Sequence, residues 1–139
     1  MKRKGLYITM MLSMVLLGGV LASLFFIFVG DSKANDELTI NDKVEYSYEM
    51  EEISTDLNDG SYVRMQVIFI GDSKDAREEL DNRGSQLKNL LIKQLSSMDA
   101  KSLQSDLSKF ENTVKDITNG MMEDGKVIEF YITEKLMQT

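Results

Sequence analysis

The sequence contains no cysteine, no histidine, no proline and no tryptophan. Without cysteine there is no disulfide framework, no thiolate zinc site, no cysteine nucleophile and no lipid-bearing cysteine of a lipoprotein. Without histidine there is no imidazole general base, no Ser-His-Asp arrangement and no imidazole-ligated metal. A length of 139 residues bounds the chain to one domain, less whatever is spent elsewhere.

The first thirty residues also lack any acid. Lys2, Arg3 and Lys4 precede LYITMMLSMVLLGGVLASLFFIFV, an uncharged run over 6–29. As a helix at about 1.5 Å per residue it would cover roughly 36 Å, against about 30 Å of bilayer hydrocarbon. The run predicts a single transmembrane helix. A cleavable signal peptide is the rival, but its apolar core is about 7–15 residues and ends in a small-x-small site. This run is longer and is followed by GDSKAND. Lys4-Gly5 also looks like a pilin processing site, yet Met10 stands where that pattern needs Glu. The basic residues before the span and Asp31 after it place the N-terminus in the cytoplasm and the remainder outside. Gly18-Gly19 and Ala22-Ser23 put small residues in the span, which permits close helix packing without requiring it.

All 23 acids lie at or beyond Asp31, together with 13 of the 16 bases, so the external part carries −10. Two bases against ten acids fall in 31–60, and eleven against thirteen in 61–139. Acid beside the membrane disfavours anionic headgroups and nucleic acid as partners. DSKANDELTIN reads as a solvated linker.

From Val44 the pattern is different. Val44, Tyr46, Tyr48 and Met50 alternate with polar neighbours, a half-buried strand interrupted at Glu51-Glu52 and resumed from Ile53 to Leu57. Asn58-Asp59-Gly60 is turn chemistry, and SYVRMQVIFI follows. The two runs predict an antiparallel hairpin. Val63, Met65, Val67 and Phe69 share one face, and the second strand, apolar on both faces at its end, is placed centrally.

Gly71-Asp72-Ser73 stops that strand and caps a helix expected from Lys74 to near Ser97. Ala76, Leu80, Leu87, Leu91, Leu95 and Met98 form its stripe, and Gly84 interrupts it at about 1 kcal/mol relative to Ala. Lys74–Glu78, Arg77–Asp81 and Glu79–Arg83 are i,i+4 pairs assigned to the solvated outer face. A connector at Asp99-Ala100-Lys101 leads to a second helix, from Ser102 or Ser105 to Met122. Its expected buried stripe is Leu107, Phe110, Val114, Ile117 and Met121. After a turn at Glu123-Asp124-Gly125, Val127 to Met137 is the final strand.

The predicted fold is α+β, with a single N-terminal transmembrane helix and a small two-layer domain of hairpin, two helices and terminal strand. The expected divisions are a cytoplasmic basic tip (1–5), a transmembrane helix (6–29), an acidic linker (30–43) and an external domain (44–139).

No catalytic constellation is present. Glu51-Glu52 and Glu78-Glu79 are adjacent pairs, and neighbours on a helix do not face each other. No phosphate loop, EF-hand spacing or base-paired serine appears. No catalytic, cofactor-binding or metal-binding residue is singled out, no cofactor is implied, and the chain is expected not to be an enzyme. Lys2, Arg3 and Lys4 are singled out as orientation determinants.

Four segments carry a family resemblance. MEEISTDLNDGSYVRMQVIF, DAREELDNRGSQLKNLLIKQLSSM, SLQSDLSKFENTVKDITNGMMEDGKV and FYITEKLMQ follow one another in the order and spacing of the FliL family, flagellar basal-body-associated membrane proteins. In the last segment Tyr131, Thr133, Glu134 and Gln138 agree with the family's closing pattern, while Lys135 stands where an aromatic is usual. Gly84 replaces a bulkier residue in the first helix. The resemblance implies a stomatin-like external domain, a homo-oligomeric ring around the stator formed by MotA and MotB, and location in the cell membrane at the flagellar basal body. It also implies support of flagellar rotation, torque, chemotactic swimming and swarming without catalysis. It leaves the contact surfaces unknown. Two alternatives stand beside it. One is a bitopic extracytoplasmic scaffold or regulator of another envelope assembly. The other is a carboxylate enzyme using Glu51, Glu52, Glu78 or Glu79.

Overall fold

Alternating apolar residues over Tyr62–Gly71 commit this segment to a strand whose one face must be covered, and the rest of the domain is arranged around it. The computed structural model describes residues 2–30 and 37–139. The elements in chain order are α1 (Lys2–Gly30), α2 (Ile40–Glu45), β1 (Ser47–Glu49), β2 (Ile53–Asp56), β3 (Tyr62–Gly71), α3 (Lys74–Asn82), α4 (Gly84–Ser96), α5 (Ala100–Ser105), α6 (Leu107–Met121) and β4 (Val127–Gln138). The chain divides into two units, Met1–Glu37 and Leu38–Thr139.

In the first unit α1 runs for 29 residues and begins among the predicted orientation residues. Tyr7, Met10, Met11 and Met14 stand well exposed along it. Its polar side chains turn back on the helix: the Thr9 hydroxyl donates to the Gly5 carbonyl at 3.1 Å and the Ser13 hydroxyl to that of Met10 at 2.9 Å. Among the described residues no helix is long and apolar enough to cross a membrane. The span expected over 6–29 includes side chains at 6, 16–17 and 21–29 that lie outside the described set, as do residues 31–36 of the expected linker.

In the second unit β3 is the centre of an antiparallel sheet. The whole length of β4 pairs along one edge, from Tyr62↔Gln138 to Gly71↔Val127, with irregularities at Gln66/Val67 and Ile70/Gly71. The other edge is a strand in two pieces. β2 pairs Ile53↔Met65 to Asp56↔Tyr62, β1 pairs Ser47↔Ile70 to Glu49↔Ile68, and the Met50 N–H reaches the Val67 carbonyl between them. The break falls at Glu51-Glu52, as expected, and the β2–β3 hairpin turns through Gly60 at φ 81°, a left-handed conformation that glycine adopts without cost.

Val63, Met65, Val67 and Phe69 are fully buried on the face covered by the helices, against Leu80, Leu87, Leu91 and Leu95. Burying each such side chain contributes about 1.5–3 kcal/mol. Aromatic rings cross the core from sheet edge to helix: Tyr48–Phe69 at 6.5 Å, Phe69–Phe130 at 4.8 Å and Phe110–Phe130 at 6.5 Å between centroids.

Several expectations need correction. Val44 and Glu45 are not strand but the end of α2. Thr39 and Asp42 form a capping box: the Asp42 N–H donates to Thr39 Oγ1 at 3.2 Å and the Thr39 N–H to Asp42 Oδ2 at 2.9 Å. That local bonding takes the start of the Val44–Tyr46–Tyr48–Met50 alternation, with Tyr46 as the helix C-cap and Tyr48 left in β1. The helix expected from Lys74 to near Ser97 is two, broken at Arg83, and the second expected helix is also two, broken at Asp106. Asp99 is an N-cap and not a connector, since its carboxylate accepts the Ser102 N–H at 2.6 Å. Ile117 is exposed, and its place in the core is taken by Thr118. Four residues on from Val114, Thr118 lies nearer the buried stripe, and its hydroxyl is satisfied by the Val114 carbonyl at 2.8 Å.

Candidate interaction surface

Helices α3 to α6 pack on one face of the sheet, and cross-strand register lays out the other face residue by residue, with Ile70 buried at the end where α2 is tied to Glu129. From β3 it receives Tyr62, Arg64, Gln66, Ile68 and Ile70. β4 places Gln138, Leu136, Glu134, Tyr131 and Glu129 opposite these in turn. On the split edge, Asp56 stands opposite Tyr62, Ser54 opposite Arg64, and Glu49 opposite Ile68. Tyr131, Leu136 and Tyr62 are 47%, 42% and 38% exposed, respectively. A tyrosine–leucine–tyrosine surface is therefore set among carboxylates, with Arg64 as the cation on β3.

The polar groups of this face are bonded to one another. Glu49 accepts the Gln66 amide at 3.1 Å, and Arg64 Nε stands 3.5 Å from Glu52. At one end Glu129 accepts both Lys43 Nζ and the Tyr131 hydroxyl at 2.7 Å. The Lys43 and Tyr131 bonds hold the Glu129 carboxyl below its ordinary range, and the same bond to Glu129 pushes the Tyr131 phenol up. Lys43 ties α2 to this end of the sheet, while Lys74 reaches Glu45 at 2.7 Å from the other side. No residue of α2 is buried, so bonding and ion pairs hold it in place.

The four glutamates of the enzyme alternative are not brought together as a catalytic pair. Glu51 and Glu52 lie exposed at the strand break and Glu78 is exposed on α3. Glu79 is 8% exposed, which overturns its assignment to the outer face. Its carboxylate accepts the Glu123 N–H at 2.9 Å, the Asp124 N–H at 2.7 Å and Arg83 Nε at 2.7 Å. Burial alone would push the group up, but the Asp124 and Glu123 N–H groups and the Arg83 guanidinium outweigh it and hold it below the ordinary value. Its work is to pin the α6–β4 turn to α3, where Gly125, at φ 143°, lets the backbone pass close to Asp72 and Ala76. Of the other two expected i,i+4 pairs, Lys74 pairs with Glu45 instead, and Arg77 donates to the Ser47 carbonyl at 3.2 Å.

Sequence reasoning missed Glu79 and the Lys43–Glu129–Tyr131 cluster. Glu79 follows Ala76 and precedes Leu80 on the buried stripe, so its angular position was the available signal. The cluster had none, since Lys43 and Glu129 are 86 residues apart. Among the described residues no three acidic, histidine or cysteine side chains are grouped to hold a metal ion. Arg3 and Lys4 lie exposed in the first turn of α1, and Lys2 begins that helix.

A central antiparallel strand, two-piece edge and helical cover thus occupy the segments that carried the resemblance. The profile of the family described as "Flagellar basal body-associated protein FliL" matches residues 47–138, a range that holds every strand of the sheet. The "Flagellar protein FliL" of Bacillus subtilis (strain 168) is 32% identical over 124 residues, covering 87% of this chain and 89% of that protein. The match extends beyond the domain and over most of the chain, and on these grounds the chain belongs to the FliL family of flagellar basal-body-associated proteins.

Proposed function

We propose that this chain is a single-pass membrane protein of the flagellar basal body that associates with the stator proteins MotA and MotB and supports torque, swimming and swarming. The observation that carries the proposal is family membership over most of the chain, including the segment before the domain. The anchor is supported by the uncharged run over 6–29 and by hydroxyls that bond back to their own helix, the arrangement a polar side chain needs in lipid. Lys2, Arg3 and Lys4 keep the N-terminus in the cytoplasm, and the charge step from this tip to the acidic segment sets the orientation. The domain then works outside the membrane, tethered through the segment between α1 and α2. It acts by contact, as a homo-oligomeric ring, and the open sheet face supplies the aromatic and arginine side chains that concentrate binding energy in interfaces.

Deletion of the gene tests the proposal. The deletion strain should swarm poorly and swim poorly in viscous medium, and tagged full-length protein should co-purify with stator subunits. Normal motility under load together with no stator recovery would overturn the proposal in favour of a scaffold of another envelope assembly.

A further inference from the structure

We infer that the open sheet face of one copy seats the outer face of α4 of a second copy, head to tail. The inference rests on the homo-oligomer reading above and names the two surfaces that make the contact.

An antiparallel sheet packed on one side can leave its other side in water, and that side is normally polar. Here Tyr62, Ile68, Tyr131 and Leu136 share it, with Ile68 directly opposite Tyr131 and Leu136 opposite Arg64. Glu49, Asp56, Glu129 and Glu134 belong to the same lattice, and of its β-strand residues only Arg64 is basic. A surface of this composition selects an occupant that is apolar at its centre, basic, and free of acid.

The charge of the helical layer decides which part of a second copy fits. α3 exposes Asp75, Glu78 and Asp81, which the sheet face would repel. α6 carries both signs, with Lys109 and Lys115 against Glu111 and Asp116. α4 has Lys88 and Lys93 and no acid, and no acid appears anywhere in 84–98. Its inner side is filled by Leu87, Leu91 and Leu95. Gln86, Leu90, Lys93 and Ser97 recur at spacings of four, three and four along one outer flank of the helix, with Leu90 half-buried and the others largely exposed. Leu90 is the apolar centre and Lys93 the cation of that stripe. Laid on the sheet, it covers the tyrosines and leucine, and its cation meets Glu134, which lies between Tyr131 and Leu136 on β4 and is in no ion pair among the described residues.

The two surfaces belong to opposite layers of the domain, so the contact is heterologous and its repetition closes a ring if the rotation permits. Anchoring every copy the same way up restricts that rotation to an axis along the membrane normal.

The experiment uses the full chain in detergent and measures self-association by light scattering and by cross-linking over a range of salt. Two variants reverse charge on one surface each: Glu134→Lys on the sheet, and Lys93→Glu on α4. Each should weaken self-association roughly tenfold or more at low salt, and the combined chain should recover most of the loss. Wild-type association should also fall as salt rises. Circular dichroism melting, expected unchanged for these exposed positions, separates loss of contact from loss of fold. Leu90→Ala, which changes no charge, should weaken association as well. Association unaffected by both reversals, or lost in both and not recovered in the combination, would overturn the inference and leave the ring reading standing. A wild-type chain that stays monomeric would overturn both. Loss of stator co-purification in the sheet variant, with the oligomer intact, would assign the face to another protein and overturn the self-contact.

Discussion

The Tyr48 hydroxyl fills the space beside Gly84: a β-carbon on that glycine would stand 2.7 Å from it, closer than real contacts allow. Gly84 opens α4 and costs helix stability, so its absence of a side chain is coupled to a tyrosine on the neighbouring strand. Gly84→Ala should change stability by less than the roughly 1 kcal/mol that helix propensity predicts, because the ring must swing aside. In a Tyr48→Phe background, where the oxygen is gone and the nearest ring carbon would lie 3.8 Å away, the same substitution should stabilise by nearly that full amount. A double-mutant cycle by urea unfolding checks this, and additive effects would exclude the coupling.

Adjacent glutamates should behave differently. Glu79→Ala leaves two turn N–H groups and a guanidinium without their shared acceptor and should cost about 2–4 kcal/mol, read as a lowered melting temperature. Glu78→Ala, on the exposed side of the same turn of helix, should cost under about 0.5 kcal/mol. Equal losses would mean that the carboxylate cradle contributes nothing.

Acid should loosen the fold from that same cradle and from the α2 contact. Glu79 and Glu129 both have folded values below their ordinary 4.5. A carboxyl depressed on folding contributes stability that is fully present above its unfolded value and disappears as pH falls through the folded one. Stability should therefore be level from neutral pH to about 5 and decline below about 4.5. In the Glu79→Gln variant that decline should be shallower. An unchanged acid limb in this variant would assign the transition to other groups.

On α6, Val114→Ala should cost about 2 kcal/mol, whereas Ile117→Ala should cost no more than about 0.5 kcal/mol despite removing the larger side chain. Thermal unfolding of the two variants distinguishes the observed helix rotation from the one the apolar spacing suggests.

The sequence reading succeeded where a signal repeats over many residues. The alternation of β3, the leucines of α3 and α4 and the Asp-Gly hairpin each present several consistent positions, so hairpin, central strand and helical layer were all legible. It failed where one local bond decides. Val44, Tyr46, Tyr48 and Met50 suggest one strand from Val44, but the Thr39–Asp42 capping box closes a helix over its first part and only Tyr48 of the four lies in β1. Ile117 looked apolar enough for the core, but a threonine able to bond its own helix was better placed. The open sheet face was only half visible. The alternate residues of β3 could be read off, but the tyrosine and leucine that β4 sets beside them depend on an irregularity at Gln66/Val67 that shifts the register.

Every strand of this sheet hydrogen-bonds to β3, and β3's longest neighbour lies far along the chain. β2 is available before β3 is complete, but β4 begins only after roughly 55 further residues have been made, which at about 5–20 residues per second takes about 3–11 s. For that interval one whole side of the most apolar strand in the domain is bare during biosynthesis. The nascent chain is then most open to aggregation and most dependent on whatever shields it, so expression yield should respond to changes in β4 more sharply than the thermal stability of the finished domain.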